Sequence, residues 1–152
     1  MLSAGTTKAT LALLDRLLGL WGNPIDDAEI ALSAFGEVYT DPISLNDTVL
    51  RLSALVERAK SRAEAFEARE TTILETLELP GKIVIAFIAR MKHIGTLHTP
   101  IGDLPASGRT AEARTIDILS VTDGRISEIR VVSDDLGVLK QLGGTLSPAE
   151  DS

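Results

Sequence analysis

Apolar residues recur at steps of three and four from residue 7 to residue 21, where Leu11, Leu14, Leu17, Leu18 and Trp21 form one stripe. That period predicts a helix, with Thr6 or Thr7 as its cap and Gly22, Asn23 and Pro24 as its stop. Asp26 and Asp27 stand where a second helix gains from negative charge, and Ile30, Leu32, Ala34 and Phe35 give it an apolar side as far as Gly36. Tyr39 to Pro42 reads as a short extended piece. Asn46 is the expected cap of a third helix running to about Phe66, with Val49, Leu50, Leu52, Leu55, Val56 and Ala59 as its buried side.

From about Glu70 the period changes to two. Pro80-Gly81 separates a strand over about 68 to 79 from a second over 82 to 94, as a hairpin turn would. Residues 95 to 109, rich in Gly, Pro, Thr and Ser, read as a long loop. A third strand covers about 110 to 121, Asp123-Gly124 is a type I′ turn signal, and a fourth strand runs from Arg125 to about Asp134. A short closing helix, Asp135 to Leu142, ends a single domain over residues 1 to 143, with 144 to 152 as a flexible tail. Helices followed by an antiparallel sheet predict an α+β fold with the helices packed on one curved sheet.

Composition narrows the function. At 152 residues, with 44% hydrophobic and 24% charged residues, the chain is long enough for one core and one soluble domain. Aromatic residues make up only 3%, so a base-stacking platform for nucleic acid is not expected, and a formal charge of -7 would repel phosphate backbones and anionic lipid. No cysteine is present. Disulfides, thiolate metal sites and a cysteine nucleophile are therefore excluded. The apolar stretch Ala9 to Trp21 is short and interrupted by Asp15 and Arg16, so no signal peptide or membrane span is expected, and the location is read as cytoplasmic.

Strand geometry proposes where the chemistry lies. If the pairing from the Asp123-Gly124 turn runs on uninterrupted, Glu128, Arg130, Val132 and Asp134 share one face with Leu119, Asp117, Thr115 and Ala113, and Asp117 lies opposite Arg130. Such a strip under helices implies a polar-lined cavity, because covered charges need partners or solvent. On an open face the same residues would be an ordinary cross-strand ion pair. His93 shares a strand face with Ile85, Phe87 and Met91, where it is either a neutral hydrogen-bonding group or a proton shuttle. Strand parity turns Asp134 inward and leaves Asp135 to cap the closing helix; a one-residue slip would exchange them. Two histidines without clustered carboxylates do not suggest a metal, and no phosphate loop, dinucleotide fingerprint or nucleophile elbow occurs.

The run RMKHIGTLHTPIGDLPASGR from residue 90, followed by TIDILSVTDGRISEI and SDDLGVLKQLGG, resembles the SnoaL-like polyketide cyclase (ester cyclase) branch of the nuclear-transport-factor-2-like superfamily. The likeness covers about residues 90 to 144, with LLDRLLGLWGNP and YTDP compatible further upstream. It implies a cone of helices on a strongly curved antiparallel sheet, a small-molecule substrate, a homodimer, and general acid/base catalysis without metal or organic cofactor. It assigns catalytic positions to Asp134, His93 and Asp117. Where the pattern has Trp this chain has Arg130, which puts a cation beside the site and points to an anionic or strongly polarised substrate group. With Trp21, Tyr39, Phe87, Met91, Thr115 and Val132 as pocket residues, the leading expectation is a cyclase or isomerase-type enzyme in which Asp134 moves a proton next to a carbonyl and His93 or Arg130 stabilises the developing charge. Epoxide opening of the limonene-epoxide-hydrolase kind and a non-catalytic binding or dimerisation module are the alternatives.

Overall fold

A computed structural model describes residues 6–150. The elements run α1 (Lys8–Gly22), α2 (Ala28–Val38), β1 (Tyr39–Leu45), β2 (Thr48–Leu50), α3 (Leu52–Ala65), β3 (Phe66–Leu79), β4 (Lys82–His93), β5 (Leu97–Thr99), β6 (Gly102–Leu104), β7 (Thr110–Thr122), β8 (Arg125–Ser133) and α4 (Asp135–Gln141). Local signals place most of the boundaries. The Thr7 hydroxyl accepts from the Thr10 amide at the start of α1, and Asp27 accepts from the amides of Glu29 and Ile30 at the start of α2. At the Asp123-Gly124 turn both residues have positive φ, 51° and 79°, as type I′ geometry requires.

Six strands form one sheet in the order β2-β1-β8-β7-β4-β3. The sheet is mixed rather than purely antiparallel, because β1 runs parallel to β8. Helices α1, α2 and α3 bury Leu13, Leu14, Leu17, Phe35, Val38, Leu52 and Leu55 against Ile83, Ile85, Leu119, Ile126 and Ile129 of the sheet. A second cluster, with Phe66, Met91, Ala111 and Ala113, is closed by Val138 and Leu142 at α4. Among the described residues no helix is long and apolar enough to cross a membrane.

Several expectations change. Asn46 does not cap α3. With Asp47 it makes a tight turn (φ 46° and 69°) between β1 and β2, and its side chain bonds the amide and carbonyl of Val131 at 2.9 and 3.3 Å. Helix α3 begins later, where Asp41 accepts from the Leu52 amide at 3.1 Å, so Val49 belongs to a strand and is 71% exposed. In α2 the buried side is Ala31, Phe35 and Val38, while Ile30 and Leu32 face outward. The loop after β4 contains the small hairpin β5–β6. Residues 145–150 carry no regular structure, and the last two residues of the expected tail lie outside the described residues.

The β7–β8 pairing also departs from the uninterrupted ladder. Thr122 and Val121 pair with Arg125 and Ile126, but Ser120 then pairs with Glu128, so Ser127 is an extra residue. This is a β-bulge. Ser127 is held by its hydroxyl, which donates to the Ser120 carbonyl at 3.3 Å and lies 2.9 Å from the Thr122 hydroxyl. Beyond it Asp117 faces Val131 and Arg130 faces Ile118.

Helix α3 is docked to the rest by its C-terminal end. The amides of Ile94 and Gly95 both donate to the Ala65 carbonyl, at 2.9 and 3.1 Å, and the backbone passes so close that a Cβ on Gly95 would lie 2.1 Å from the Glu64 carbonyl oxygen. Gly95→Ala is therefore expected to cost on the order of 2 kcal/mol, read as a lowered denaturation midpoint, because the obstructing atom is backbone. Ser127→Ala keeps the bulge and is expected to cost about 1 kcal/mol. Deletion of Ser127 forces the uninterrupted register, and loss of cooperative unfolding in that variant checks it.

Candidate active site

The concave side of the sheet and helices α1 and α3 enclose a cavity of about 570 Å³, a size suited to a small organic molecule. Its sheet wall is built by alternate residues: Thr115, Asp117 and Leu119 of β7, Ile129, Val131 and Ser133 of β8, and Phe87, Ala89 and Met91 of β4. Phe66, Glu67, Ala68 and Thr71 of β3 and Arg90 of β4 also line it, with Leu17, Leu18 and Trp21 of α1, Leu55, Arg58 and Arg62 of α3, and Tyr39 of β1. Aliphatic groups dominate, as the shortage of aromatics requires. The rings that reach the cavity are Trp21, Tyr39, Phe66 and Phe87; behind the first two, Phe35 lies 6.0 Å from Trp21 edge-on and 5.8 Å from Tyr39 in a stacked arrangement.

Two acidic groups line the cavity: Glu67 of β3, which is exposed and pairs with Arg69 at 3.2 Å, and the buried Asp117 of β7. Asp117 is 8% exposed, its Oδ1 has no hydrogen-bond partner among the described residues, and burial pushes its carboxyl up to about 6. Tyr39 is buried beside it. The Trp21 indole N–H donates to the Tyr39 hydroxyl at 2.8 Å. Burial pushes the Tyr39 phenol well above its ordinary range, the negative field of Asp117 adds to this, and the Trp21 bond opposes it. The phenol is thus an O–H at any physiological pH, and with one lone pair taken by Trp21 its proton is free to point elsewhere. The Thr115 and Ser133 hydroxyls, 3.0 Å apart, add a polar pair to the same wall.

Other predicted site residues lie elsewhere. Asp134 is exposed and is itself the cap of α4: its Oδ1 accepts from the Gly137 amide at 2.9 Å, while Asp135 falls in the first helical turn. Parity beyond the bulge is reversed, so Val131 and Ser133 line the cavity in place of Val132 and Asp134. Val132 is 76% exposed. Arg130 pairs with Asp47 at 2.8 Å and Glu128 at 3.4 Å outside the cavity. The expected Asp-Arg-Asp strip is not assembled.

His93 is fully buried but does not line the cavity. Its Nδ1 accepts from the Ser107 amide at 3.1 Å and lies 2.9 Å from the Ser107 hydroxyl, and its ring packs 5.5 Å from Phe66. Its amide donates to Arg109 and its carbonyl accepts from Gly108. Those bonds fasten the return of the long loop. Trp21, Tyr39, Phe87, Met91, Thr115 and Asp117 are brought together as expected; Arg58 and Arg62 were not anticipated. Their signal was available as two arginines four apart on the helix that also carries Leu55 and Ala59.

A second, smaller groove of about 220 Å³ lies between α1, α2 and α3, and Trp21, Pro24 and Ala63 border both spaces. Among the described residues no three His, Asp or Glu side chains are grouped as metal ligands.

Solved structures share this architecture. TsrD from Streptomyces laurentii superposes with a TM-score of 0.74 at 18% identity, over 92% of this chain and 98% of its own. A SnoaL-like polyketide cyclase from Agrobacterium tumefaciens gives a TM-score of 0.66 at 16% identity, over 86% and 98%. AclR from Streptomyces galilaeus gives 0.68 at 15%, over 88% and 94%. At such identities the likeness speaks for the fold. No curated protein sequence matches. The family model described as SnoaL-like polyketide cyclase matches residues 26–142, which takes in α2, the whole six-stranded sheet, α3 and α4. The chain belongs to the SnoaL-like polyketide cyclase family.

Proposed function

We propose that the protein is a cyclase or isomerase-type enzyme in which Asp117, rather than Asp134, is the general acid/base acting on an enolisable carbonyl compound. The observation that carries this reading is the buried, unpartnered Asp117 carboxyl in the cavity wall, poised at about 6. A carboxyl held there is ionised in a useful fraction at neutral pH and is a stronger base than a solvated aspartate. A structural aspartate would instead be expected to have its oxygens satisfied.

In this mechanism the Asp117 carboxylate removes a proton from the carbon next to a substrate carbonyl. The Tyr39 O–H donates to the carbonyl oxygen as negative charge gathers there, and the Trp21 N–H, held on the Tyr39 oxygen, supports that donation. The enolate carbon can then form a bond to a second carbonyl carbon of the same molecule, whose oxygen takes the proton back from Asp117. Reprotonation at a different carbon gives isomerisation by the same two groups. Small-molecule binding and a homodimer belong to the same proposal, the latter checked by sedimentation equilibrium.

Hydrogen–deuterium exchange next to the carbonyls of polyketide-like diketones, followed by NMR in D2O, tests the chemistry. Asp117→Asn is expected to lower the exchange rate about 100- to 10,000-fold. Equal rates in the two proteins would overturn the role. The wild-type rate should rise with pH through about 6, as the base ionises. Tyr39→Phe should slow exchange without moving that limb.

The same carboxyl has a stability signature. Its folded pKa lies above that of an unfolded-chain aspartate, so the folded state is favoured below about pH 4 and that advantage is lost as pH rises through 6. Asp117→Asn should therefore be more stable than the wild type at pH 8, by up to about 3 kcal/mol, with the gap closing by pH 4 in urea titrations.

A further inference from the structure

Arg58 and Arg62 lie one turn apart on α3 and both line the cavity. The Arg62 guanidinium sits over the Phe66 ring at 5.9 Å and its Nη2 is 3.4 Å from the Met91 Sδ, so it is steadied by apolar wall residues rather than by a carboxylate. Among the described residues the ion pairs of arginine are Arg51–Asp41, Arg69–Glu67, Arg130–Asp47 and Arg130–Glu128, and none involves Arg58 or Arg62. Asp135 is the acidic group whose field reaches Arg62, opposing the downward pull that desolvation exerts on its pKa. Arg90 of β4 also lines the cavity, as does Glu67, which pairs with Arg69 at 3.2 Å; three arginines against Glu67 and Asp117 are still a local reversal of sign in a chain of net charge -7.

The other end of the cavity has the opposite character. Asp117 pairs in register with Ile85, while Met91, the contact of Arg62, stands six residues further along the same strand. That is about 20 Å measured along the strand. An anion would be repelled by an ionised Asp117 and held by the arginines, so charge alone orients a molecule that carries both an acid and a reactive carbonyl.

We propose that Arg62, with Arg58, binds a carboxylate of the substrate, so that the enzyme acts on an elongated organic acid whose charged end is remote from the carbon that reacts. The inference deepens the reading of Asp117 as acid/base and rests on it for the position of the reacting carbon. The planar guanidinium fork suits a carboxylate, and the apolar walls between the two ends suit a hydrocarbon or polyketide-like body. The cation expected at Arg130 is thereby supplied from α3 instead.

Calorimetric titration with octanoate, methyl octanoate and octyl phosphate tests this without any turnover. The acid is expected to bind at least tenfold more tightly than its ester at low salt, with the advantage shrinking as salt is raised. Arg62→Met, which keeps an apolar stem, should bring acid and ester within about twofold, Arg58→Met should narrow the gap, and Arg130→Met should leave it unchanged. Equal binding of acid and ester, a preference that survives in both α3 variants, no heat with octanoate at millimolar concentration, or much tighter binding of octyl phosphate would each overturn the assignment. The titration repeated in Asp117→Asn keeps the two readings apart: the acid preference persists there even if Asp117 has no catalytic role.

Discussion

One extra residue in a hairpin decides which side chains meet the cavity. Ser127 stands unpaired between Ile126 and Glu128, so two residues of β8 answer to one step of β7. Side chains alternate across a strand, and a shift of one residue moves every later position to the opposite face. Because of it Ile126 and Ile129 both enter the core, Val131 and Ser133 reach the cavity, and the charged Glu128 and Arg130 turn outward to meet each other and Asp47. Without it the sheet would bury an arginine and expose isoleucine. The bulge therefore reconciles a charged sequence on β8 with a curved sheet whose concave side must stay mostly apolar.

The same displacement isolates Asp117. An aspartate facing Arg130 would be a satisfied ion pair with an ordinary carboxyl, of small consequence for stability or chemistry. Facing Val131 beside Tyr39, it is desolvated and unpartnered. The fold bears this group at a cost in stability, offset by the aliphatic core packed around Ile43, Leu55, Ile85 and Ile126. Recognition of charge is separated from it and placed on α3, whose end is fastened through Gly95 and Ala65. A helix held by backbone contacts can present long side chains to the cavity without those side chains having to hold the helix.

How much of this the sequence reveals depends on whether a feature is local. Thr7, Pro80-Gly81 and Asp123-Gly124 act within four residues and each marks its cap or turn correctly, and the acidic pair Asp26-Asp27 marks the start of α2, where Asp27 proves to be the cap. The resemblance carried by residues 90 to 144 reached the family, and Trp21, Tyr39, Phe87, Met91, Thr115 and Asp117 were placed in the pocket. What failed is non-local. Asn46 looks like a helix cap by type, yet its side chain serves the backbone of Val131, 85 positions away. Asp134 and Asp135 are equivalent to local rules, and only the register upstream chooses between them. The spacing of Ile126 and Ile129, three apart in a strand of otherwise alternating character, was the one trace of the bulge in the sequence.

Trp21 separates the main cavity from the smaller groove beneath α2, with Pro24 and Ala63 at the same boundary. The indole is shared by both spaces, and the ring belongs to the end of a helix rather than to the sheet. A scaffold arranged this way can alter the length of guest it admits by changing a single side chain, leaving the strands that carry Asp117 untouched. Because the same indole N–H is held on the Tyr39 hydroxyl, a change of capacity made there also resets the donor, and the two properties are coupled through one residue.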